Sequence, residues 1–134
     1  MDEIGRSKDP ATIVQAWQEA VNAQDVDTLL ALSDPQIEIA GPRGSGFGHQ
    51  LLRDWLARAG LQLTSQRRFG CGPVVVVAQQ AVWHAAENGA VTGEAAIASL
   101  FRVDGERVVY FRRFDELAEA LAAAGLTTAD ELID

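Results

Sequence analysis

Between Leu61 and Phe114 the sequence abandons helical spacing and runs through apolar segments of period two, divided by Gly, Pro, Asn and Asp. Strands are predicted at 61–69, 74–78, 81–87, 90–103 and 107–114. Short turns between successive strands make neighbours antiparallel, so this half of the chain is predicted to fold as a meander. Asn88-Gly89 sets the register, because a two-residue type I′ turn there pairs Glu87 with Ala90, His84 with Gly93 and Val82 with Ala95. Asp104-Gly105 marks the next hairpin.

In that register His84, Gly93, Ala95, Ile97, Ser99, Phe101 and Val103 share one face, and Trp83, Glu94, Ala96, Ala98, Leu100 and Arg102 share the other. Both faces carry apolar side chains. One must meet helices, and the other is predicted to be covered by a second copy, giving a homodimer through Ala96, Ala98 and Leu100. On the last strand Phe111, Arg113 and Asp115 share a face opposite Tyr110, Arg112 and Phe114. The pattern leaves open which set looks inward.

Helices precede the meander. Residues 1–9 read as a flexible tail. Asp9-Pro10 opens a helix to about Gln24, with Ile13, Trp17, Ala20 and Val21 on its apolar face and Gln15, Gln18, Glu19 and Asn22 elsewhere. Asp25 caps a second helix through Leu32, stopped by Ser33-Asp34-Pro35. A strand at 36–40 puts Ile37 and Ile39 opposite Glu38, a Gly-rich loop follows at 41–48, and a third helix at 49–59 buries Leu52, Trp55 and Leu56. Asp115 is predicted to cap a closing helix that ends at Gly125, and Thr128 to Glu131 has capping-box spacing. Helices first and strands after predict one α+β domain over residues 1–134, with three helices of the N-terminal half and a closing helix covering a curved antiparallel sheet.

Composition narrows the partners. Nineteen acidic residues against eleven Lys and Arg give a formal charge of −8, which lacks the positive field that draws proteins to nucleic acid or anionic lipid. The longest apolar run, Val74 to Ala78, is too short to span a bilayer, and the acidic N-terminus does not read as a secretory signal. Cys71 is the single cysteine, which excludes an intrachain disulfide and suits a reducing cytoplasm. His49 and His84 are too far apart in sequence for metal-site spacing, and no cofactor is expected.

The order of elements, with the stretch Ala16-Trp17-Gln18-Glu19-Ala20-Val21-Asn22-Ala23-Gln24-Asp25-Val26-Asp27 and the Phe114-Asp115-Glu116-Leu117 opening of the last helix, resembles the nuclear transport factor 2-like superfamily. Ketosteroid isomerases, SnoaL-like polyketide cyclases and limonene epoxide hydrolases share that fold. The resemblance implies a cone-shaped, cystatin-like sheet around a pocket. Carried over along the matching stretch, the isomerase tyrosine, base and second acid fall on Trp17, Gly41 and Ser99, none of which keeps the chemistry. The Asp-Arg-Asp set of the epoxide hydrolases meets Phe101, Arg102 and Arg112 instead. What the resemblance leaves is the SnoaL-like layout, in which a His and an Asp in the cone assist proton transfer.

These considerations select His84, Asp115 and Arg113 as candidate catalytic residues, with Asp115 a base oriented by Arg113. Trp17, Ile39, Trp55, Ile97, Ser99, Phe101 and Phe111 are the candidate walls for a small, mostly apolar organic ligand. Each has an ordinary alternative: His84 as a histidine bonded to a backbone carbonyl, Asp115 as a helix cap, and Trp17 and Trp55 as core. If the cone is filled by its own aromatic side chains, the chain is instead a non-catalytic carrier or interaction module.

Overall fold

The computed structural model describes residues 9–41, 44–85 and 87–132, so all of the expected tail but Asp9 lies outside the described residues. Helix α1 spans Pro10–Ala23 and α2 spans Val26–Ala31; β1 (Ser33–Gly41) and β2 (Gly44–Phe47) precede α3 (His49–Ala59). The long strands are β3 (Leu61–Cys71), β4 (Val74–His84), β5 (Val91–Asp104) and β6 (Arg107–Phe114), followed by α4 (Leu117–Ala124) and a 3-10 turn at Thr128–Asp130. No described helix is long and apolar enough to cross a membrane.

The helix signals act as their chemistry dictates. Pro10 occupies the first turn of α1, where its missing N–H costs nothing, although Asp9 makes no side-chain cap bond. Asp25 accepts the Thr28 amide and hydroxyl at the start of α2, and these bonds hold its carboxyl below the usual range. Gly60 ends α3 at φ 53°, and a Cβ there would lie 2.2 Å from the His84 carbonyl oxygen. Only glycine fits that crossing.

The six strands form one curved sheet in the order β2-β1-β6-β5-β4-β3. Two features correct the expected antiparallel sheet. β1 pairs with β6 in parallel, because β1 enters the sheet from α2 and not through a hairpin that would fix its direction. The glycine-rich stretch expected as loop contributes β2, which folds back on β1 with Glu38 opposite Phe47. β4 is also one strand where two were expected, since Gln79 and Gln80 continue the ladder without a break.

The largest correction is one of register. Trp83 pairs with Gly93, Val82 with Glu94 and Ala81 with Ala95, a slip of one residue from the expected pairing, with a further irregularity between Trp83 and His84. Gly89 has φ 71°, but Asn88 is not among the positive-φ residues, so the turn is not the type I′ form that the expected register requires. The Ala85 amide instead bonds the Ala90 carbonyl, and the Asn88 side chain accepts the Ala90 amide. A one-residue slip turns every β4 side chain to the opposite face relative to β5. Trp83, not His84, therefore stands beside Gly93 on the inner wall.

Two apolar clusters lie on the two sides of the sheet. The concave side packs α1, α2 and α3 against Val75, Val77, Ala81, Ile97, Phe101, Val103, Val108 and Phe111. On the convex side Phe69, Val76, Ala98 and Leu100 are closed over by Ala120 and Leu121 of α4 and by Leu126. The face assigned to a homodimer is thus corrected: Ala98 is 0% and Leu100 2% exposed under the chain's own helix, while Ala96 stays exposed. Helix α4 itself begins at Leu117 with Glu116 as N-cap, and the capping box after it runs from Thr127 to Asp130, one residue earlier than expected.

Candidate functional site

The concave face of β4, β5 and β6 is divided into a filled end and an open end. At the filled end the rings of Trp17, Trp55, Phe101 and Phe111 meet with centroids 5.2 to 6.0 Å apart. Trp17 and Phe101 are fully buried. The Trp17 indole N–H donates to Ser33 Oγ at 2.9 Å, and that hydroxyl donates to the Leu29 carbonyl at 2.7 Å, so the polar edge of the ring is satisfied within the core.

Toward the mouth a cavity of about 150 Å³ remains. Ile39 and Ala40 of β1, Trp55 of α3, Leu61 and Leu63 of β3, Trp83 of β4, Ile97 and Ser99 of β5, and Phe111 and Arg113 of β6 line it. An apolar void on the order of 150 Å³ has room for a benzene-sized ring. A wider hollow of about 440 Å³ shares Ala40 and Arg113 with it and adds Gly41, Arg112, Phe114, Asp115 and Glu119.

Two polar side chains reach the cavity from adjacent strands, for Ser99 and Arg113 are directly opposed in the β5–β6 ladder. Ser99 is the visible end of a buried chain: its hydroxyl donates to Gln79 Oε1, Gln79 donates to Gln18 Oε1, and Gln18 donates to Ser65 Oγ. Ser99, Gln79 and Gln18 are all at least 97% buried, at 1%, 0% and 3% exposure. With its proton committed to Gln79, Ser99 offers the cavity an acceptor oxygen. The Arg113 guanidinium lies 5.3 Å from the centre of the Trp83 ring and touches Asp115 once, at 3.3 Å. That ion pair is exposed and weak.

The sequence-selected residues divide accordingly. Ile39, Trp55, Ile97, Ser99, Phe111 and Arg113 line the cavity, whereas Trp17 and Phe101 sit behind it in the ring cluster. His84 is not in the lining: its Nδ1 donates to the Gly60 carbonyl at 3.0 Å, and its own amide donates to the same oxygen at 2.8 Å. Asp115 stands at the rim with its side chain 81% exposed. His49 Nε2 donates to the Ser33 carbonyl at 2.9 Å, and Cys71 is an exposed free thiol. Among the described residues no cluster of three or more His, Cys, Asp or Glu side chains is arranged to hold a metal.

Sequence reasoning missed Trp83, Leu61, Leu63 and the Gln18–Gln79 relay. A glycine facing an indole was the available signal for Trp83, since a Cβ on Gly93 would come 3.9 Å from that ring. Away from the cone, Arg67 grips Glu131 with two N–H bonds of 3.0 and 2.8 Å. Those bonds hold the Glu131 carboxyl below its ordinary value and raise Arg67.

The sequence matches no protein-family model and no curated protein. Solved structures do match the fold. A protein of unknown function from Cytophaga hutchinsonii, described as nuclear transport factor 2-like, superposes with a TM-score of 0.71 at 12% identity, over 87% of this chain and 97% of that one. An LEH-like epoxide hydrolase of Mycobacterium tuberculosis gives 0.71 at 17% identity over 88% and 90% of the two chains. A second M. tuberculosis protein, solved in complex with estradiol-17beta-hemisuccinate, gives 0.71 at 16% identity over 83% and 97%.

Proposed function

We propose, from the nuclear transport factor 2-like fold of this chain, that it is a pocket protein which takes a small, mostly apolar organic molecule into the mouth of its cone. The observation that supports this reading is the cavity of about 150 Å³ between Trp83, Ile97, Leu63 and Phe111. A side-chain-filled interaction module would have closed that space with its own rings, as the Trp17 cluster does one layer deeper. The superposed structures that carry an organic ligand or are described as an enzyme support the reading by analogy of fold alone.

Binding is favoured over acid–base turnover by the chemistry of the lining. Ser99 and Arg113 are its polar members, His84 is committed to a backbone carbonyl, and Asp115 lies at the rim. The SnoaL-like use of a His and an Asp therefore has no pair facing one another in the cavity. A reducing cytoplasm is the compartment proposed for the protein, supported by the single cysteine, Cys71, an exposed free thiol.

The test is a titration of tryptophan fluorescence with toluene and related single-ring compounds, since Trp55 and Trp83 line the cavity. Saturable quenching that is abolished by Ile97→Phe, a substitution that fills the space, is the expected result. No saturable response to any single-ring compound would sink the proposal, and the filled-cone module would replace it.

A further inference from the structure

An apolar cavity with a single cationic side chain at its edge recognises more than a hydrocarbon. Arg113 is the one charged residue in the described lining, and it is held on three sides: by its backbone in β6 opposite Ser99, by the Trp83 ring beneath the guanidinium, and by Asp115 at 3.3 Å. The guanidinium carbon lies over the indole at 5.3 Å, a cation–π contact that keeps the cation beside the cavity while leaving its N–H donors available. Asp115 engages that edge through one oxygen only, with both side chains substantially exposed at 49% and 81%. A planar fork that is unsaturated in its bonding and set beside an apolar void is matched in shape by a carboxylate.

We propose that the ligand is a small ring-bearing monocarboxylate, seated ring-first among Trp55, Leu63, Trp83 and Ile97 with its carboxylate on the Arg113 fork. The inference rests on the pocket reading above and adds the charge and orientation of the occupant. Asp115 then acts as an internal stand-in: in the empty protein it makes one weak contact to Arg113, and the incoming carboxylate displaces it. The overall charge of −8 repels an anion at long range, so this local cation is the feature that favours one in the cavity.

Benzoate and its neutral analogue benzamide are the probes, measured by tryptophan quenching and by calorimetry at pH 7. The expected result is that benzoate binds about tenfold more tightly than benzamide, a margin typical of one charge-assisted contact. Arg113→Gln should erase the margin by weakening benzoate alone, and Asp115→Asn should strengthen benzoate several-fold, since the competing carboxylate is gone. Asp115 is exposed, so that variant reports even where Arg113→Gln disturbs the fold. Benzamide binding as well as benzoate, or benzoate binding unchanged in Arg113→Gln, would overturn the carboxylate assignment while leaving the pocket standing. Failure of both probes while toluene binds would likewise overturn the carboxylate assignment alone, and failure of all three would overturn the pocket reading as well.

Discussion

The two ends of the same concave wall are built from the same strands and yet do different work. At the deep end β5 and β6 contribute Phe101 and Phe111 to a ring cluster around Trp17, fully buried and hydrogen-bonded to Ser33. Two residues further along each strand, Ser99 and Arg113 face a void. Stability is concentrated where rings interdigitate, and recognition where the wall is left uncovered. The inward face of a strand is therefore no guide by itself to ligand contact; the depth along it decides.

If that division holds, the two ends respond differently to truncation. Trp17→Ala should cost about 3–5 kcal/mol in urea unfolding, because it leaves a large cavity and removes the N–H that donates to Ser33 Oγ. Trp83→Ala should cost only about 1–2 kcal/mol, the ring being half-buried, yet abolish binding of single-ring compounds. Equal losses of stability at the two sites would break the comparison.

The Gln18–Gln79–Ser99 relay links the cavity wall on β5 to α1 and β3 and sharpens the contrast. Gln79→Leu removes an amide that serves both neighbours, leaving Ser99 and Gln18 each short of a partner, and should destabilise by about 1–3 kcal/mol. It also frees the Ser99 proton, so a ligand acceptor at Ser99 becomes competitive where a donor was preferred. A variant as stable as the native protein would remove the relay from the account.

His84→Ala is expected to cost within about 1 kcal/mol, the worth of one bond to the Gly60 carbonyl. Ring binding should stay unchanged, and a lost response would return His84 to the site.

The smallest effect lies outside both ends. Glu131 is held below its ordinary value by Arg67, so its contribution to docking the C-terminal segment on β3 is fully present above the unfolded value of about 4.3 and is lost as pH falls through the lower folded value. A carbon-detected titration of Glu131 should give a midpoint below that of an unpaired glutamate, rising toward it in Arg67→Gln.

How much of this was legible in the sequence depends on which rule each residue obeyed. Helix stripes, the Asp25 cap and the inward set of β5 follow from local periodicity, and they fold as read. β4 does not, because its register hangs on a single turn whose Asn88 declines the positive φ that the Asn-Gly signal advertises, and one residue of slip exchanges His84 for Trp83. Gln18 and Gln79 were unreadable for a different reason: each is polar, and only tertiary partners make burial at 3% and 0% tolerable. The convex face was assigned to another molecule because the pattern shows that Ala98 and Leu100 need cover without showing that α4 supplies it.

The central claim is tested most directly by intermolecular nuclear Overhauser effects between benzamide and the methyl groups of the protein. Contacts to Leu63 and Ile97, with none to Leu100 or Leu121, are what an open cone mouth predicts. Contacts confined to Leu100 and Leu121, or a ligand that meets no methyl of the concave wall, would contradict it.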